Sequence, residues 1–383
     1  MAKINKITLK NGHIVYETDL YLGIDPMTGK KKRTSLRASS KAELKLKILR
    51  KQIEFKEGNQ QEKPLENRTF MDIYLLWIEV YQNTVEESTF VKTEGIFRNH
   101  ILPFFGKYKI NKISVFHCQK AINLWFTKLE KFKIPMTYAS KVFDYAVTLG
   151  IIDDNPCKKV TMPVKKIDNL IEKDLNFYTK EELELFFNCL EKENNYQVFS
   201  FFRLLAFSGI RKGEALALTW NDISFTNETI KINKALSRGL NSRLIIKAPK
   251  TKSSNRIISM DTKTMNILKR WKIIQKEKYF KLGYNTIKTN QLVYSNESNE
   301  FLQPTKTRVW LEKIINKNDL TRITTHGFRH THCSLLFEAG ATIKEVQDRL
   351  GHDDIQTTMN IYTHVSEKAK EETANKFAKY ISF

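Results

Sequence analysis

A short stretch near the end of the chain, RLGHDDIQTTMNIYTH at residues 349–364, constrains the local fold strongly. Thr342 and Glu345, just before it, have the spacing of a capping box, and they predict the start of a helix. Gly351 should end this helix, because glycine adopts the left-handed conformation of a C′ position without strain. His352 therefore emerges at a helix end.

A second helix should follow and carry a tyrosine. Asp353 or Asp354 can cap it, because a short carboxylate side chain accepts hydrogen bonds from first-turn amides. Tyr362 then lies on this helix, ten residues after His352. A tyrosine at such a position can fill a core or act as a nucleophile, and motifs elsewhere in the sequence must decide between these roles.

The charge of the chain indicates a polyanionic partner. The 383 residues include 64 Lys and Arg against 42 Asp and Glu, a formal net charge of +22. Such a surface attracts nucleic acid, and a basic ribosome-associated or membrane-surface protein is the alternative. A membrane partner is not favoured, because we find no amphipathic helix with apolar anchors and a basic face, no signal peptide and no apolar span.

The four cysteines lie far apart in the sequence, without CxxC spacing. They are Cys118, Cys157, Cys189 and Cys333. Buried free thiols in a reducing cytoplasm explain this pattern better than disulfides or a zinc site. We therefore expect a cytoplasmic protein without a structural metal.

Length, turn signals and composition predict a multidomain protein that is mainly α-helical with small β-sheets. Residues 1–60 predict a three-stranded sheet followed by one helix, residues 68–158 a helical bundle, and residues 170–383 an α+β domain. A polar segment follows the first domain, and residues 160–178, which have no clear period, read as a linker before the third.

The first domain has a hairpin signal and a concentrated positive charge. Asn11-Gly12 separates two predicted strands, and Ser40 with Glu43 predicts the start of the helix. Residues 1–60 carry 14 Lys and Arg against 6 Asp and Glu. The second turn contains basic residues that could bind phosphates, or could form a solvated hairpin tip. They are Lys30, Lys31, Lys32 and Arg33.

The second domain should contain four helices. Residues at i, i+3, i+4 and i+7 predict the apolar stripe of its first helix. They are Met71, Tyr74, Leu75 and Ile78. Gly150 should close the fourth helix, and Asn155-Pro156 should end the domain. A bundle of this kind indicates a fold but no function.

The third domain should be mainly helical, with three short antiparallel strands in TIKINKAL, RLIIKAPK and NRIISM. Before them, in FSGIRKGEALALTW, Gly209 should end one helix and Arg211 should begin the next, so this arginine could hold an anion beside first-turn amides. Between the last two strands, APKTKSSNR should be a hairpin turn whose lysine could protonate a leaving oxygen. Taken singly, the first motif is more often an ordinary surface arginine and the second a solvated turn.

The segment THGFRHTH at residues 325–332 places basic side chains on one helical face. His326 and Arg329 are three residues apart, and His330 is four residues after His326. Two histidines at that spacing could bind a metal, but Arg329 on the same face would repel a cation and HExxH is absent. The alternatives are a structural face of histidine and arginine or an anion-binding site.

Together and in this order, Arg, Lys, HxxR, Gly-His and Tyr resemble the catalytic set of the tyrosine recombinases, the lambda-integrase-like site-specific recombinases. THGFRHTHCSLLFEAGATIKEVQDRLGHDDIQTTMNIYTHV is similar to the family's C-terminal signature almost throughout. Residues 1–60 resemble the AP2-like arm-binding domain of phage and conjugative-element integrases, residues 68–158 the SAM-like core-binding domain, and residues 170–383 the catalytic domain.

The resemblance implies that the protein cuts and rejoins DNA through a 3′-phosphotyrosine, to integrate and excise a phage or mobile element. It implies that Arg211 and Arg329 bind the phosphate and that His352 donates a further hydrogen bond. Tyr362 is then the nucleophile, and His326 or the arginine field helps it to lose its proton.

The resemblance also implies a lysine that protonates the departing 5′-hydroxyl. PKTKSS offers Lys250 and Lys252, and Lys250 is favoured because Lys-Thr matches the integrase pattern better. His330 and His332 are additional histidines, and we expect His330 to support the site by packing or hydrogen bonding. Neither a metal nor ATP is implied, because arginines neutralise the phosphate and the phosphotyrosine conserves the bond energy.

The implied partners are double-stranded DNA with core-type and arm-type sites, a homotetramer on DNA, and an excisionase and a host DNA-bending protein. The implied location is the bacterial cytoplasm, without membrane attachment. Residues 365–383 end in the apolar YISF, which should dock on the same subunit or on a neighbour. The alternatives are a resolvase-like or chromosome-dimer recombinase, a type IB topoisomerase, and a catalytically inactive DNA-binding protein.

Overall fold

The structure is a computed structural model that describes residues 4–8, 14–24, 30–58, 67–165, 176–249, 252–288, 290–356, 358–359 and 381. The chain forms two compact units, residues 1–165 and residues 166–383. Each unit has its own apolar core. In the part of the chain that the structure describes, no helix is long and apolar enough to cross a membrane.

The N-terminal part of the first unit is the predicted sheet and helix. Strands β1 (Asn5–Thr8), β2 (Ile14–Ile24) and β3 (Lys31–Ala38) pair antiparallel in that order, and helix α1 (Lys41–Gly58) follows. The predicted Asn11-Gly12 turn lies outside the described residues. The Ser40 hydroxyl accepts from the amide of Glu43 at 3.1 Å as predicted, but the Glu43 carboxylate binds Ser39.

The rest of the first unit is the predicted helical bundle. Its helices are α2 (Phe70–Gln82), α3 (Glu87–Ile96), α4 (Leu102–Phe105), α5 (Val115–Lys128) and α6 (Lys133–Thr148). A π-helical turn, Phe97–Ile101, joins α3 to α4 without a break, so these elements together form the second of the four predicted helices. Gly150, with φ of 68°, follows the end of α6 as predicted.

The apolar stripe of α2 was predicted with the wrong phase. Met71 and Leu75 are 39% and 48% exposed. The buried residues keep the helical spacing but start one position earlier, at Phe70. They are Phe70, Ile73, Tyr74, Trp77 and Tyr81. Because nearly every residue of this helix is apolar, the period alone could not select the face that packs.

The second unit is helical around a small β region. Its helices are α7 (Lys180–Glu191), α8 (Tyr196–Ser208), α9 (Lys212–Ala217), α10 (Thr262–Lys281), α11 (Pro304–Asn318), α12 (Gly327–Glu338) and α13 (Ile343–Leu350). Helix α8 is central, and α7, α10 and α12 contact it. A capping box at Thr342 starts α13 as predicted, and another at Thr179 starts α7.

The strands of this unit differ from the prediction in their pairing. They are β4 (Ile223–Ser224), β5 (Thr229–Ile232), β6 (Ala235–Arg238), β7 (Leu244–Lys247) and β8 (Arg256–Ser259). The first predicted strand is divided in two: β5 pairs with β4 and β8, and β6 pairs with β7. The segment between β7 and β8 therefore connects two sheets, and the prediction that it closes a hairpin is wrong.

Candidate active site

The Arg329 side chain lies in the interior of the second unit. It projects from the first turn of α12 and is 2% exposed. Its Nη1 donates to the carbonyl of Gly209 at 2.9 Å, and its Nη2 donates to the carbonyl of Leu350 at 2.8 Å. A guanidinium has five N–H donors, so further donors can serve an anion. The two carbonyls fix the plane of the group.

Both carbonyls come from helix ends where the chain adopts a left-handed conformation. Gly209 ends α8 with φ of 67°, and Gly351 ends α13 with φ of 66°. A Cβ at Gly209 would lie 2.6 Å from side-chain atoms of both His332 and Leu350. The predicted helix ends at Gly209 and Gly351 are confirmed, and glycine is required at Gly209 by both backbone conformation and space.

Arg211 is the N-cap residue of α9, and its guanidinium is partly exposed. Its Nη1 donates to Glu214 Oε1 at 2.9 Å, and its backbone amide donates to Glu214 Oε2 at 2.9 Å. Arg256 on β8 donates to the same carboxylate at 3.0 Å from Nη2. Burial by itself raises the pKa of Glu214, but the charges and hydrogen bonds of Arg256 and Arg211 lower it overall. Glu214 is therefore an anion shared by two arginines.

Positive charge is in excess at this site. Burial, and then the charge of Arg211, lowers the pKa of Arg329 to about 9, so the group is still charged at neutral pH. Among the described residues, Glu214 is the carboxylate whose charge opposes this effect on Arg329. One carboxylate thus stands against Arg211, Arg256 and Arg329. An entering anion would relieve the repulsion among them.

His326 and His330 lie at the start of α12. Their ring centroids are 4.7 Å apart, with the planes at 87°. His326 retains solvent access, and the burial of the rest of its ring together with the charges of His330 and Arg329 lowers its pKa to about 4. His326 is therefore neutral at pH 7, and an anion bound at the arginines would offset the neighbouring charges and make it a stronger base. Among the described residues, no three His, Cys, Asp or Glu side chains cluster as metal ligands would.

His352 follows Gly351 directly, at the end of α13, and is 9% exposed. Its Nδ1 lies 2.9 Å from the Thr358 hydroxyl. When that hydroxyl donates to Nδ1, Nε2 carries the ring hydrogen and can act as a donor. Burial, followed by the charges of Arg329 and Arg211, lowers the pKa of His352 to about 3. His352 is thus a neutral hydrogen-bond donor facing the arginines.

The structure therefore brings four of the six predicted catalytic residues into one electrostatic group, Arg211, His326, Arg329 and His352. Tyr362 and Lys250 lie outside the described residues, as does the Lys252 side chain. The segment that carries the two lysines does reach this group. Ser253 donates a hydrogen bond to Asp353, and a Cβ on Gly351 would lie 2.8 Å from the Ser253 carbonyl.

The basic residues predicted for the first domain lie in the other unit. Lys30 precedes β3, and Lys31, Lys32 and Arg33 are its first three residues. All four are exposed, and the guanidinium carbon of Arg33 lies 6.0 Å from the ring centre of Tyr21. The turn itself, residues 25–29, lies outside the described residues. These cations are therefore mainly on a strand.

Three residues around the site were missed from the sequence, Glu214, Arg256 and Arg349, and His332 was noted there without a role. The Arg-x-x-Glu spacing in RKGE was a local signal that could have identified Glu214, because three residues place a carboxylate within reach of a helix N-cap. Arg256 and Arg349 contact partners far away in the sequence, and no local pattern marks them.

Comparison with known proteins places the chain in a family. Residues 176–369 match the phage integrase family, and residues 69–126 match the phage integrase N-terminal SAM-like domain. The chain is 31% identical to the ICEBs1 integrase of Bacillus subtilis (strain 168), over 96% of this chain and 97% of that protein.

Two solved structures share the fold. The Tn1549 transposon integrase in complex with transposon right end DNA has a TM-score of 0.65 at 20% identity, covering 80% of this chain and 100% of that chain. A lambda integrase tetramer bound to a Holliday junction has a TM-score of 0.56 at 15% identity, covering 93% and 94%.

Acid should destabilise the second unit through its buried histidines. His332 is 8% exposed, and burial followed by the charge of Arg349 lowers its pKa to about 3. Burial followed by the charges of Arg329 and Arg211 lowers the pKa of His352 to about 3 as well. Unfolded histidine titrates near pH 6.5, so below that pH the unfolded chain binds protons that the folded chain does not. The free energy of unfolding should fall by up to about 2.7 kcal/mol per pH unit from these two residues.

Urea unfolding between pH 6.5 and pH 5 measures this slope. His332→Gln removes one titrating group, so the slope should decrease by about 1.4 kcal/mol per pH unit. Val309→Ala, an exposed change on α11 that removes no titrating group, is the matched control and should keep the wild-type slope. An unchanged slope in His332→Gln would contradict the assignment of a neutral buried histidine.

Proposed function

The chain belongs to the phage integrase family, the tyrosine site-specific recombinases of mobile elements, and we propose that it cuts and rejoins DNA through a covalent phosphotyrosine at Tyr362. The observation that supports this most is the excess of positive charge around Arg329. Arg211 and Arg256 share one carboxylate, and Arg329 binds two carbonyls. A phosphodiester, with one negative charge, fits such a site.

Binding of the phosphate is assigned to three of these residues. Arg211 and Arg329 donate to the two non-bridging oxygens, each through N–H groups other than those that bind Glu214 or the carbonyls. His352 donates from Nε2 as negative charge builds on those oxygens in the transition state. In this role the Thr358 hydroxyl, 2.9 Å from Nδ1, donates to Nδ1 and so keeps the ring hydrogen on Nε2. A preorganised set of donors of this kind lowers the barrier without further rearrangement.

Bond exchange is assigned to Tyr362. Its phenolic oxygen attacks phosphorus, a P–O bond to tyrosine forms, and the bond to the 5′-oxygen breaks. The phenol has a pKa of about 10, so it needs help to lose its proton. Neutral His326 accepts that proton, or the arginine field stabilises the phenolate. Lys250 donates a proton to the departing 5′-oxygen, which leaves as a hydroxyl.

Rejoining reverses these steps on another strand. The 5′-hydroxyl of that strand attacks the phosphotyrosine, Tyr362 leaves, and the proton returns along the same groups. The phosphodiester energy is kept in the phosphotyrosine, so the proposed reaction uses no ATP. Guanidinium groups supply the charge neutralisation that a metal ion supplies in many other phosphoryl-transfer sites.

Tyr362→Phe should abolish the covalent link and leave DNA binding within about twofold, because only the nucleophilic oxygen is removed. A suicide substrate with a nick beside the cleavage point traps the adduct, and denaturing electrophoresis detects it. An adduct formed by Tyr362→Phe would show that another residue is the nucleophile. If the wild-type chain binds DNA but forms no adduct, it is an inactive DNA-binding protein. If the wild-type chain forms adducts but does not exchange strands between two sites, it is a topoisomerase.

The same assay distinguishes the two lysines. Lys250→Ala should slow cleavage by about 10²–10⁴-fold, the usual contribution of a positioned general acid. A substrate with sulfur at the 5′-bridging position should restore its rate, because a thiolate leaves without a proton. Lys252→Ala should cleave both substrates at near the wild-type rate. The reverse result would assign the proton to Lys252.

The N-terminal sheet is proposed to bind arm-type DNA sites, while the helical bundle and the catalytic domain bind core-type sites. Domain boundaries at residues 1–60, 68–158 and 170–383 are part of this proposal. Lys31, Lys32 and Arg33 support it, because three exposed cations at one end of β3 concentrate positive charge that can bind phosphates. The resemblance also suggests an excisionase and a host DNA-bending protein as partners, in the bacterial cytoplasm.

A chain starting at Lys63 should still cleave core-site DNA but integrate poorly, because it lacks the arm-binding sheet.

In the full chain, replacing Lys31, Lys32 and Arg33 by Gln should lower the magnitude of the slope of log affinity for arm-site DNA against log salt concentration by about 3, because each phosphate contact releases about one counterion. Lys45→Gln, an exposed change on α1, is the control for lost charge. If the chain starting at Lys63 integrates as well as the full chain, the N-terminal sheet does not have the proposed arm-binding role.

The active assembly is proposed to be a tetramer on two DNA duplexes, coupled by exchange of the C-terminal tail between subunits. Residues 365–383 belong to this proposal and, except for residue 381, lie outside the described residues. The apolar end YISF is its sequence basis, because three large apolar side chains in five terminal residues need a partner surface. Docking on the same subunit is the alternative.

Deleting residues 379–383 should leave binding to a single core site unchanged, while synapsis and strand exchange fall by at least about tenfold, because the subunits lose their mutual contact. A plasmid with two sites measures exchange, and gel mobility measures binding and synapsis separately. Replacing Lys379 alone by Gln is the control. Unimpaired recombination by the truncated chain would exclude tail exchange.

A further inference from the structure

We propose that Arg349 and His332 act as a positioning pair for strand cleavage. They hold the last turn of α13 against α8, and through that turn they place Arg329 and His352 against the phosphate. Neither member of the pair belongs to the six residues assigned to the chemistry. The inference rests on the recombinase reaction proposed above, and it adds the residues that set the geometry of that reaction.

Arg349 is bonded through all three of its side-chain nitrogens. Nε donates to His332 Nε2 at 2.9 Å, Nη1 to the carbonyl of Ser259 at 3.0 Å, and Nη2 to the carbonyl of Phe207 at 3.1 Å. These partners belong to α12, to the end of β8 and to the last turn of α8. A long side chain that normally samples many rotamers is thereby held in one conformation.

His332 can fill its role only as a neutral ring with one particular tautomer. Its Nδ1 lies 2.8 Å from the carbonyl of Ala206, which can only accept, so Nδ1 carries the hydrogen. Nε2 is then without a hydrogen and accepts from Arg349. The ring packs against the Gly209 turn so closely that a Cβ there would be 2.6 Å from Cδ2.

The backbone of the same helical turn carries the effect to the reaction centre. The carbonyl of Leu350, the residue after Arg349, accepts from Arg329 at 2.8 Å. The carbonyl of Arg349 itself accepts from Arg256 Nε at 2.9 Å. Arg256 in turn binds Glu214, the carboxylate that holds Arg211. A shift of this turn would therefore move the anchors of both phosphate-binding arginines.

The helix has other contacts that keep it folded without the pair. Val346 and Leu350 are fully buried in a small apolar cluster with Cys333 and Phe337 of α12. Loss of the pair should therefore change the position of the last turn more than the stability of the unit. Misplacing reacting groups by about 1 Å can cost on the order of 10²-fold in rate, so the defect should be in cleavage.

The experiment compares four variants in the full-length chain. Arg349→Gln and His332→Phe each remove the contact, while His332→Gln keeps an acceptor near the position of Nε2. Lys344→Gln removes an exposed charge from the same helix and is the control. Cleavage of a suicide core-site substrate gives the rate of adduct formation, gel mobility gives DNA affinity, and thermal unfolding gives stability.

We expect Arg349→Gln and His332→Phe to slow adduct formation by about 10–100-fold with DNA affinity within about twofold. His332→Gln and Lys344→Gln should stay within about threefold of wild type. The double variant Arg349→Gln with His332→Phe should be no slower than the slower single variant, because both changes remove one interaction.

A modified substrate separates positioning from a general structural defect. With an uncharged methylphosphonate at the cleavage point, less charge has to be neutralised, so a displaced Arg329 should matter less. The slowing caused by Arg349→Gln and His332→Phe should therefore be several-fold smaller on methylphosphonate than on phosphate. A structural defect would slow both substrates equally.

Three results would overturn the proposed role of the pair. They are wild-type rates of adduct formation in both Arg349→Gln and His332→Phe, equal slowing on the phosphate and methylphosphonate substrates, or a DNA affinity that falls in parallel with the rate. If Arg349→Gln does not fold, the comparison of His332→Phe with His332→Gln decides, since only one of them lacks the acceptor. A wild-type chain that forms no adduct would contradict the proposed function instead.

Discussion

The burial of one guanidinium group organises the second unit. Arg329 is 2% exposed, and a buried charge is costly unless hydrogen bonds and opposite charge compensate it. The compensation comes from the C-terminal ends of α8 and α13, where unpaired carbonyls and the helix dipoles carry partial negative charge. Both helices must end beside the same point, and both end at a glycine with positive φ. The arrangement of α8, α12 and α13 follows from this requirement.

The carbonyls and Glu214 compensate only part of the positive charge around Arg329, and the charge that is left can attract an anion. Carbonyls carry no formal charge, and Glu214 is shared between Arg211 and Arg256, so the charge balance around Arg329 stays positive. Repulsion between the arginines is a standing cost to the folded state, expressed in the lowered pKa of Arg329. A bound phosphate removes it. In the proposed reaction, the same feature that costs stability would provide affinity for a phosphodiester and stabilise the charge that develops during its cleavage.

The sequence predicted the local features well because each has a local cause. The left-handed ends at Gly209 and Gly351 and the capping box at Thr342 depend on residues within a few positions of each other. The α2 stripe failed because its helix is apolar on more than one face, and only packing selects Phe70 over Met71. The strand pairing failed because pairing is decided between distant segments.

The site shows the same difference between features with a local cause and features that depend on distant segments. The order of motifs along the chain identified the residues assigned to the chemistry, but not those that hold them in place. Arg256 lies 42 residues from Glu214, and Arg349 lies 142 residues from Phe207, so these contacts exist only in the folded chain. Their bonding partners are largely backbone carbonyls, which any residue type provides, and a sequence pattern therefore has nothing to mark.

The end of α13 is where these separate requirements meet. Leu350 supplies a carbonyl to Arg329, and His352 follows two residues later in the chain. The segment that carries the candidate lysines reaches the same turn through Ser253, which binds Asp353, and its carbonyl lies so near Gly351 that a side chain there would clash. A phosphate-binding arginine, a hydrogen-bond donor and the lysine segment thus share one short piece of backbone. Hydrogen bonds to α8, β8 and α12 fix that piece of backbone, so the three groups would keep a common geometry throughout the proposed reaction.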